Sequence, residues 1–579
     1  MFTHFNLMTT QLDPNRTLCF VGGHEGAGTI GLLGLADTTR LWEMGQEQEF
    51  RALMAAREGV APETLENCVG FRLAHHDHPL ETRHCGMIPE SIRTNITRWL
   101  GYTPKSMVGR TNMGAQLSLL AGTEFLAGLD IQNMSEICES PGDLAVYASS
   151  AMPATDIVTR GMRMTGQRLP EEVIKAINEL MAGRTEDSFI AAHKILTDLL
   201  ENPVVGRDSF LQRHGRGPEI TMMANVLGST ISTIFSNAIG SPTRPMAAEV
   251  RLTAECATFL GSVRMAAHNL LADRELQPAK AILVGASEAG FGIPEAVLVL
   301  ALFRSMMAVE ATDNALVRGS LWNAYAPMSP VAKGFWASEA AMMSCIMTVP
   351  EAVRRGLPIL AYLIAIGASA DEGQKKNPAA IGSGFKPALE HVMNIAREKG
   401  VAPRYVSLHC PGTENGLEIE PGTLREVFGD YGLDLGGIQL VADRAINGHP
   451  FSVAAAMGVA SMLRGFAAGL LPGARNINRF GIHSVFEGFK VTEEPAQVDP
   501  DALYLLNALG FWGNDYVLGV QPHVFGQGRL ARRFGISPAA EAVYERAAQD
   551  RLARGQSKLA SLRAGALTRR AYLEAIHYT

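Results

Sequence analysis

Long apolar runs are missing from this 579-residue chain. The densest, Pro358-Ile-Leu-Ala-Tyr-Leu-Ile-Ala-Ile366, falls well short of the roughly 20 residues a bilayer span needs and suits a buried strand or short helix. The first residues, Met1-Phe-Thr-His-Phe5, lack a basic stretch ahead of an apolar core, so a secretory leader is not expected. No CxxC pair occurs among the seven cysteines, and their number is odd. That pattern reads as reduced thiols in a cytoplasmic protein. Charge is scarce too, at 19% of residues with a net of -7, which argues against nucleic acid as a partner. There is no short internal repeat.

What is present is apolar substance, 47% of residues, with abundant Gly, Ala and Met. A chain this long and this apolar calls for two domains or one large two-lobed core. Short apolar runs alternate with helical patterns from end to end, the signature of α/β architecture. Arg16–Val21, Asp143–Tyr147 and Lys280–Val284 read as strands in the first half, Tyr405–Leu408 and Ile438–Val441 in the second. Residues 151–215 are helical and charge-bearing and read as a lid or insertion. Residues 529–579 hold ten Lys/Arg against four Asp/Glu. That tail reads as a basic helical appendage, solvated or docked on an acidic partner.

Two segments imitate known sites. Gly26-Ala-Gly28-Thr-Ile-Gly31 fits GxGxxG between an expected strand and an expected helix. A dinucleotide site also needs an acidic residue closing a second strand, and Glu43 and Glu47 fall in what reads as continuing helix. A tight strand-to-helix turn is the better reading. His75-His-Asp-His78 with His84 and Cys85 matches no zinc spacing, and Pro79 breaks any helix that would align it, so no metal site is assigned.

The informative pair is Ser407-Leu-His-Cys-Pro-Gly-Thr413 and Ile446-Asn-Gly-His-Pro450. Both place a histidine in a small-residue turn after a strand, where open α/β sheets put their active sites. Upstream, Cys256 lies near the start of an expected helix over 250–273, where the helix dipole favours thiolate. Gly510-Phe-Trp-Gly-Asn514 adds a glycine-rich turn. One thiol and two imidazoles suit carbon–carbon bond formation on a thioester: the thiol holds an acyl group, and two N–H donors stabilise an enolate.

On these residues the chain resembles the β-ketoacyl-acyl carrier protein synthases, condensing enzymes of the thiolase-like superfamily, through most of residues 16–525. Cys256, led in by Gly240-Ser-Pro242 and followed by Val284-Gly-Ala-Ser-Glu288, falls at the acylated cysteine. His409, with Thr413, Gly416 and Glu420, matches the first histidine motif. His449 precedes an Ala-rich helix as the second histidine does. Gly334-Phe-Trp-Ala-Ser-Glu339 looks like the segment opening the second half, and Glu351-Ala-Val-Arg-Arg-Gly356 like the helix end after it.

The resemblance implies a thiolase-like fold of two similar mixed-sheet α/β lobes in five αβαβα layers. The lobes would cover 1–325 (with the insertion) and 326–527, with 528–579 as the tail. It implies elongating-type condensation of an acyl group on Cys256 with malonyl-acyl carrier protein, without cofactor, in a homodimer or heteromer serving fatty acid or polyketide synthesis. His409 and His449 would assist decarboxylation, oriented by a charge pair of Arg444 and Glu420. Phe511 would be the acyl gate, and its N–H with that of Cys256 would form the oxyanion hole. Thr413, Gly510 and Gly513 would bind substrate, and Arg529, Arg532 and Arg533 would meet the acidic carrier protein. Arg444 replaces the family's lysine, Pro411 a threonine, and Glu255 a small residue; Trp512 adds bulk beside the gate. The rivals are a non-decarboxylating acyltransferase or thiolase-type enzyme on the same fold, and a non-catalytic chain-length partner subunit.

Overall fold

The computed structural model describes residues 12–32, 34–35, 47–67, 70–73, 84–103, 112–150, 249–250, 254–272, 279–290, 300, 308–319, 321, 324–371, 384–510 and 513–576. The expected insertion at 151–215, the histidines of 75–78, and Phe511 and Trp512 lie outside them.

Twelve described strands form one sheet. Those that place the site are β1 (Leu18–Val21), β2 (Gly28–Gly31), β3 (Leu144–Ser149), β4 (Glu249–Val250), β5 (Ala281–Glu288), β6 (Ala340–Thr348), β7 (Ile359–Ala370), β8 (Pro403–Ser407), β9 (Gln439–Val441), β10 (Leu503–Leu509) and β11 (Asn514–Pro522). Their order is β9-β8-β10-β11-β7-β1-β6-β5-β3-β4. The sheet has two matching halves. In the first, β4, β3 and β5 are parallel and β6 and β1 follow antiparallel. In the second, β9, β8 and β10 are parallel and β11 and β7 follow antiparallel. The halves join where β1 pairs with β7. Strand β6 completes the first half although it lies beyond residue 325.

Most of these strands are apolar along their whole length and buried on both faces, as a sheet covered by helices requires. Two helices, α1 (Thr258–Leu271) and α2 (Ala454–Ala468), share one buried cluster with residues from both halves of the sheet. Met113–Gly128 and Phe385–Glu398 belong to the cluster on the opposite faces. Outer helices, sheet halves and central helices give the αβαβα layering. Against the expectation that no stretch is long enough for a span, Phe451–Ala468 passes by length and composition, alone among the described residues. It is 89% buried in the core, which accounts for its composition.

Two expectations are corrected. Gly28–Gly31 is strand β2, paired with β6, and no helix follows the glycines directly. A Cβ on Gly28 would stand 1.9 Å from the Ala121 carbonyl oxygen, so its glycine serves close helix–strand packing. The tail is helical but it is not a solvated appendage. Its helices Pro538–Arg563 and Arg569–Ala575 bury Tyr544, Ala548, Leu559, Leu562, Tyr572 and Leu573 in the main core. Its basic side chains meet acidic ones of the body: Arg551 with Glu136 at 2.6 Å, Arg554 with Asp130 at 2.6 Å, and Arg569 with Glu124 at 2.5 Å.

Candidate active site

Cys256 sits in a short turn, Glu255–Ala257, that leads into α1. Glu255 has φ 48, a conformation a non-glycine residue adopts only when its surroundings hold it there. Thr258 does the holding: its Oγ1 accepts from the Ala254 N–H at 2.8 Å and donates to the Glu255 carbonyl at 2.7 Å. The thiol is 1% exposed and lies two residues ahead of the positive end of α1. The turn after β10 presses on the same segment. A Cβ on Gly510 would meet the Ala254 carbonyl oxygen at 2.8 Å. Gly513, at φ 90, closes the turn by donating to the Gly510 carbonyl. The structure thus brings the glycine-rich turn to the cysteine.

His409 follows β8 by two residues. Glu420, from helix Glu414–Asp430, grips the backbone there. Its two carboxylate oxygens accept from the His409 and Cys410 N–H groups, each at 2.8 Å, and Asn507 donates a third bond at 2.8 Å. Burial pushes the Glu420 acid up, while these donors pull it back. Thr413 caps the same helix, accepting from the Gly416 N–H.

His449 leaves β9 less directly than the sequence implied, through the short helix Arg444–Asn447. Gly448, at φ 68, has no room for a Cβ, which would stand 2.6 Å from Ser338 Oγ. Ser338 donates to the Asn447 carbonyl at 2.7 Å, and the His449 N–H donates to the Trp336 carbonyl at 2.7 Å.

The three residues converge. His449 Nε2 lies 2.9 Å from Cys256 Sγ, and the two imidazoles meet edge to face with centroids 5.4 Å apart. Phe335 and Phe451 pack on His449. Burial, then the positive charge of Arg444, drives His409 well below the usual histidine range. Burial, His409 and Arg444 do the same to His449. Both rings are therefore neutral near pH 7, and each retains one N–H to donate.

Arg444 and Glu420 face each other as charges without a direct bond among the described contacts. Arg444 donates to the Ala454 carbonyl at 2.9 Å, and Glu420 is occupied by backbone amides and Asn507. They interact through space only. Of the expected carrier-protein patch, Arg529 is buried against Asp501 and the Pro522 carbonyl, and Arg533 is buried against Gln521; only Arg532 is exposed. Sequence reasoning assigned no role to Asn507, Trp336 or Tyr325. Trp336 lay within a quoted motif, whereas no local pattern marked the other two.

The double-half sheet with a cysteine elbow and two histidine turns has the fold of solved ketosynthases. The comparisons agree. The noncanonical ketosynthase FabY from P. aeruginosa superposes at a TM-score of 0.69, covering 100% of this chain and 94% of that one at 17% identity. In sequence, the chain is 24% identical over 374 residues to beta-ketoacyl-[acyl-carrier-protein] synthase FabY of Pseudomonas aeruginosa, 62% of this chain. It is 25% identical over 195 residues to the chloroplastic 3-oxoacyl-[acyl-carrier-protein] synthase I of Arabidopsis thaliana, 33% of this chain. These matches span 56% and 39% of the two curated relatives. No family model matches. The likeness to the β-ketoacyl-acyl carrier protein synthases that the motifs implied is thus found in both sequence and structure.

Proposed function

We propose that this protein is a β-ketoacyl-acyl carrier protein synthase. The observation that carries the reading is the 2.9 Å contact of His449 Nε2 with Cys256 Sγ beside a second neutral imidazole. The Cys256 thiolate attacks an acyl thioester, the carrier thiol leaves with a proton, and the acyl group is held on sulfur. His409 and His449 then donate to the carbonyl oxygen of malonyl-acyl carrier protein as its C–C bond breaks and carbon dioxide departs. The enolate carbon attacks the acyl carbonyl, whose oxygen is received by the N–H groups of Cys256 and Phe511. That attack forms the new C–C bond; collapse of the tetrahedral oxyanion re-forms the ketone, breaks the C–S bond and expels the Cys256 thiolate, which takes up a proton from solvent.

Arg444 keeps both imidazoles neutral, and Glu420 fixes the backbone of the first. Thr413 positions that loop as a helix cap, and Gly510 and Gly513 shape the turn bearing the Phe511 gate. The lobes would be 1–325 and 326–527, with β6 crossing back into the first, and the whole chain would pair as a homodimer or a heteromer. Among the described residues six cysteines are buried, which fits a cytoplasmic setting. A non-catalytic partner subunit would have no use for an assembled cysteine and histidine pair.

The test is the intact mass of the protein after incubation with acyl-CoA and acyl-carrier thioesters, together with carbon dioxide release from malonyl-acyl carrier protein. An acyl adduct absent from Cys256→Ala, with release of carbon dioxide, supports condensation. An adduct without carbon dioxide release would replace it with simple acyl transfer.

A further inference from the structure

The two histidine turns come from different strands and share no direct backbone bond, yet their rings must stay in register. Between them stands a buried aromatic plate. Tyr325 and Trp336 stack with centroids 5.0 Å apart at 14°, and Phe71 packs edge-on against both. Each stacked residue holds one turn. The Tyr325 hydroxyl donates to the Pro411 carbonyl at 2.8 Å, two residues past His409. The Trp336 carbonyl accepts the His449 N–H at 2.7 Å. Phe71 would also touch a Cβ on Gly448, at 3.0 Å.

The plate is itself anchored. Trp336 Nε1 donates to Glu310 Oε2 at 2.7 Å, and Glu310 is paired with Arg318 through both carboxylate oxygens, at 2.7 and 2.5 Å. Arg318 lies over the Trp336 ring and also donates to the Ala324 and Val331 carbonyls. Glu310 is 1% exposed, so the anchor is a buried ion pair whose geometry is fixed by its partners. Pro411, with no N–H of its own, can be held only through its carbonyl, and the next carbonyl, of Gly412, accepts from the Gly334 N–H at 2.9 Å.

We infer that Tyr325 and Trp336, anchored by Glu310 and Arg318, are positioning residues that set His409 against His449. The inference rests on the condensing-enzyme reading for its catalytic consequence. Acyl transfer to Cys256 uses the His449 arm, whereas decarboxylation needs both rings aimed at one oxygen. Loosening the Tyr325 arm should therefore slow the second step and spare the first. A displacement of about 1 Å can cost on the order of a hundredfold in a step that depends on orientation.

Two readouts test this on the full-length protein. In Tyr325→Phe, decarboxylation of malonyl-acyl carrier protein should fall by about 10- to 100-fold in kcat with KM and the rate of Cys256 acylation unchanged. Independently of turnover, the ring signals of labelled histidine should move for His409 and stay for His449. In Trp336→Phe, which cuts the Glu310 anchor, the His449 signals should move as well. Unmoved His409 signals in a folded Tyr325→Phe protein would overturn the positioning role, and so would an equal fall in both steps. If the unsubstituted protein neither acylates nor decarboxylates while the histidine signals shift as stated, the condensing-enzyme reading fails and the positioning stands.

Discussion

His449 Nε2 and Cys256 Sγ, 193 positions apart in sequence, meet at 2.9 Å, while His409 stands edge to face with the same imidazole at 5.4 Å between centroids. This arrangement divides the labour. His449 touches the nucleophile and His409 does not. His449→Ala should therefore depress both Cys256 acylation and decarboxylation, by roughly 10²- to 10⁴-fold. His409→Ala should keep the acyl adduct and lose carbon dioxide release. Intact mass and gas release, run side by side, check the split; loss of the adduct in both variants would remove it.

Arg444 gives a prediction in pH. Its charge disfavours protonation of both imidazoles, adding to burial. Removing it in Arg444→Met raises both histidine pKa values towards the ordinary one. The base form is then lost at a higher pH, so the acid limb of the kcat profile shifts upward. An unshifted limb with intact folding would mean burial alone keeps the rings neutral.

Glu420 gives one in backbone order. Its carboxylate satisfies three buried donors, and Glu420→Gln replaces one acceptor oxygen with an amide donor facing an N–H. The expected loss is about 1–3 kcal/mol in unfolding free energy. Condensation should fall too, since the His409 turn is what those bonds hold. Urea melts and turnover measured together decide it; full stability with full activity would show the turn is held by other contacts.

The sequence carried the site further than its surroundings. Cys256, His409 and His449 could be picked out because glycine, proline and small residues mark tight turns locally, and the strands before them are apolar in short runs. What failed depended on partners remote in the chain. The charges of residues 529–579 look solvated until Glu124, Asp130 and Glu136 are known to lie beneath them. Opposite charge marked Arg444 and Glu420 as partners, but not that Glu420 would spend its oxygens on backbone amides and Asn507. GxGxxG imitates a phosphate loop because close packing on a helix and close approach of a phosphate both call for the same missing side chain; the dinucleotide reading is rightly set aside, but the expected turn is a strand.

Asp515, the second residue of β11, is fully buried beneath the glycine-rich turn, beside the Asp371 carboxyl and the Gly510 backbone. Burial, then the neighbouring Asp371, pushes its acid up to about 9 from a usual 3.8. The folded protein therefore holds a proton that the unfolded chain releases. Stability from this group is full below about pH 3.8 and is lost as pH rises towards 9, with a limiting slope of about 1.4 kcal/mol per pH unit. Asp515→Asn should flatten the fall in melting temperature between pH 5 and about 9. An unchanged slope would mean that Asp515 is ionised in the folded protein.

The tail supplies the contrasting case, in which stability moves and chemistry does not. Glu124 is buried on helix Met113–Gly128, where Arg563 reaches it at 2.8 Å and Arg569 at 2.5 Å. That helix packs on β2 and β6, on the side of the sheet away from the central helix that Cys256 precedes. Glu124→Gln leaves two guanidinium groups around a neutral amide, one of them nearly fully buried. Breaking such a pair costs about 3–5 kcal/mol because a buried charge is left uncompensated. The variant should melt several degrees lower and unfold at lower denaturant. Its rate of Cys256 acylation per folded molecule should match the parent below the transition. A variant that melts normally would show that apolar burial of Tyr544, Leu559, Leu562 and Tyr572 holds the tail without its charges; one that melts normally but acylates slowly would tie the tail to the site.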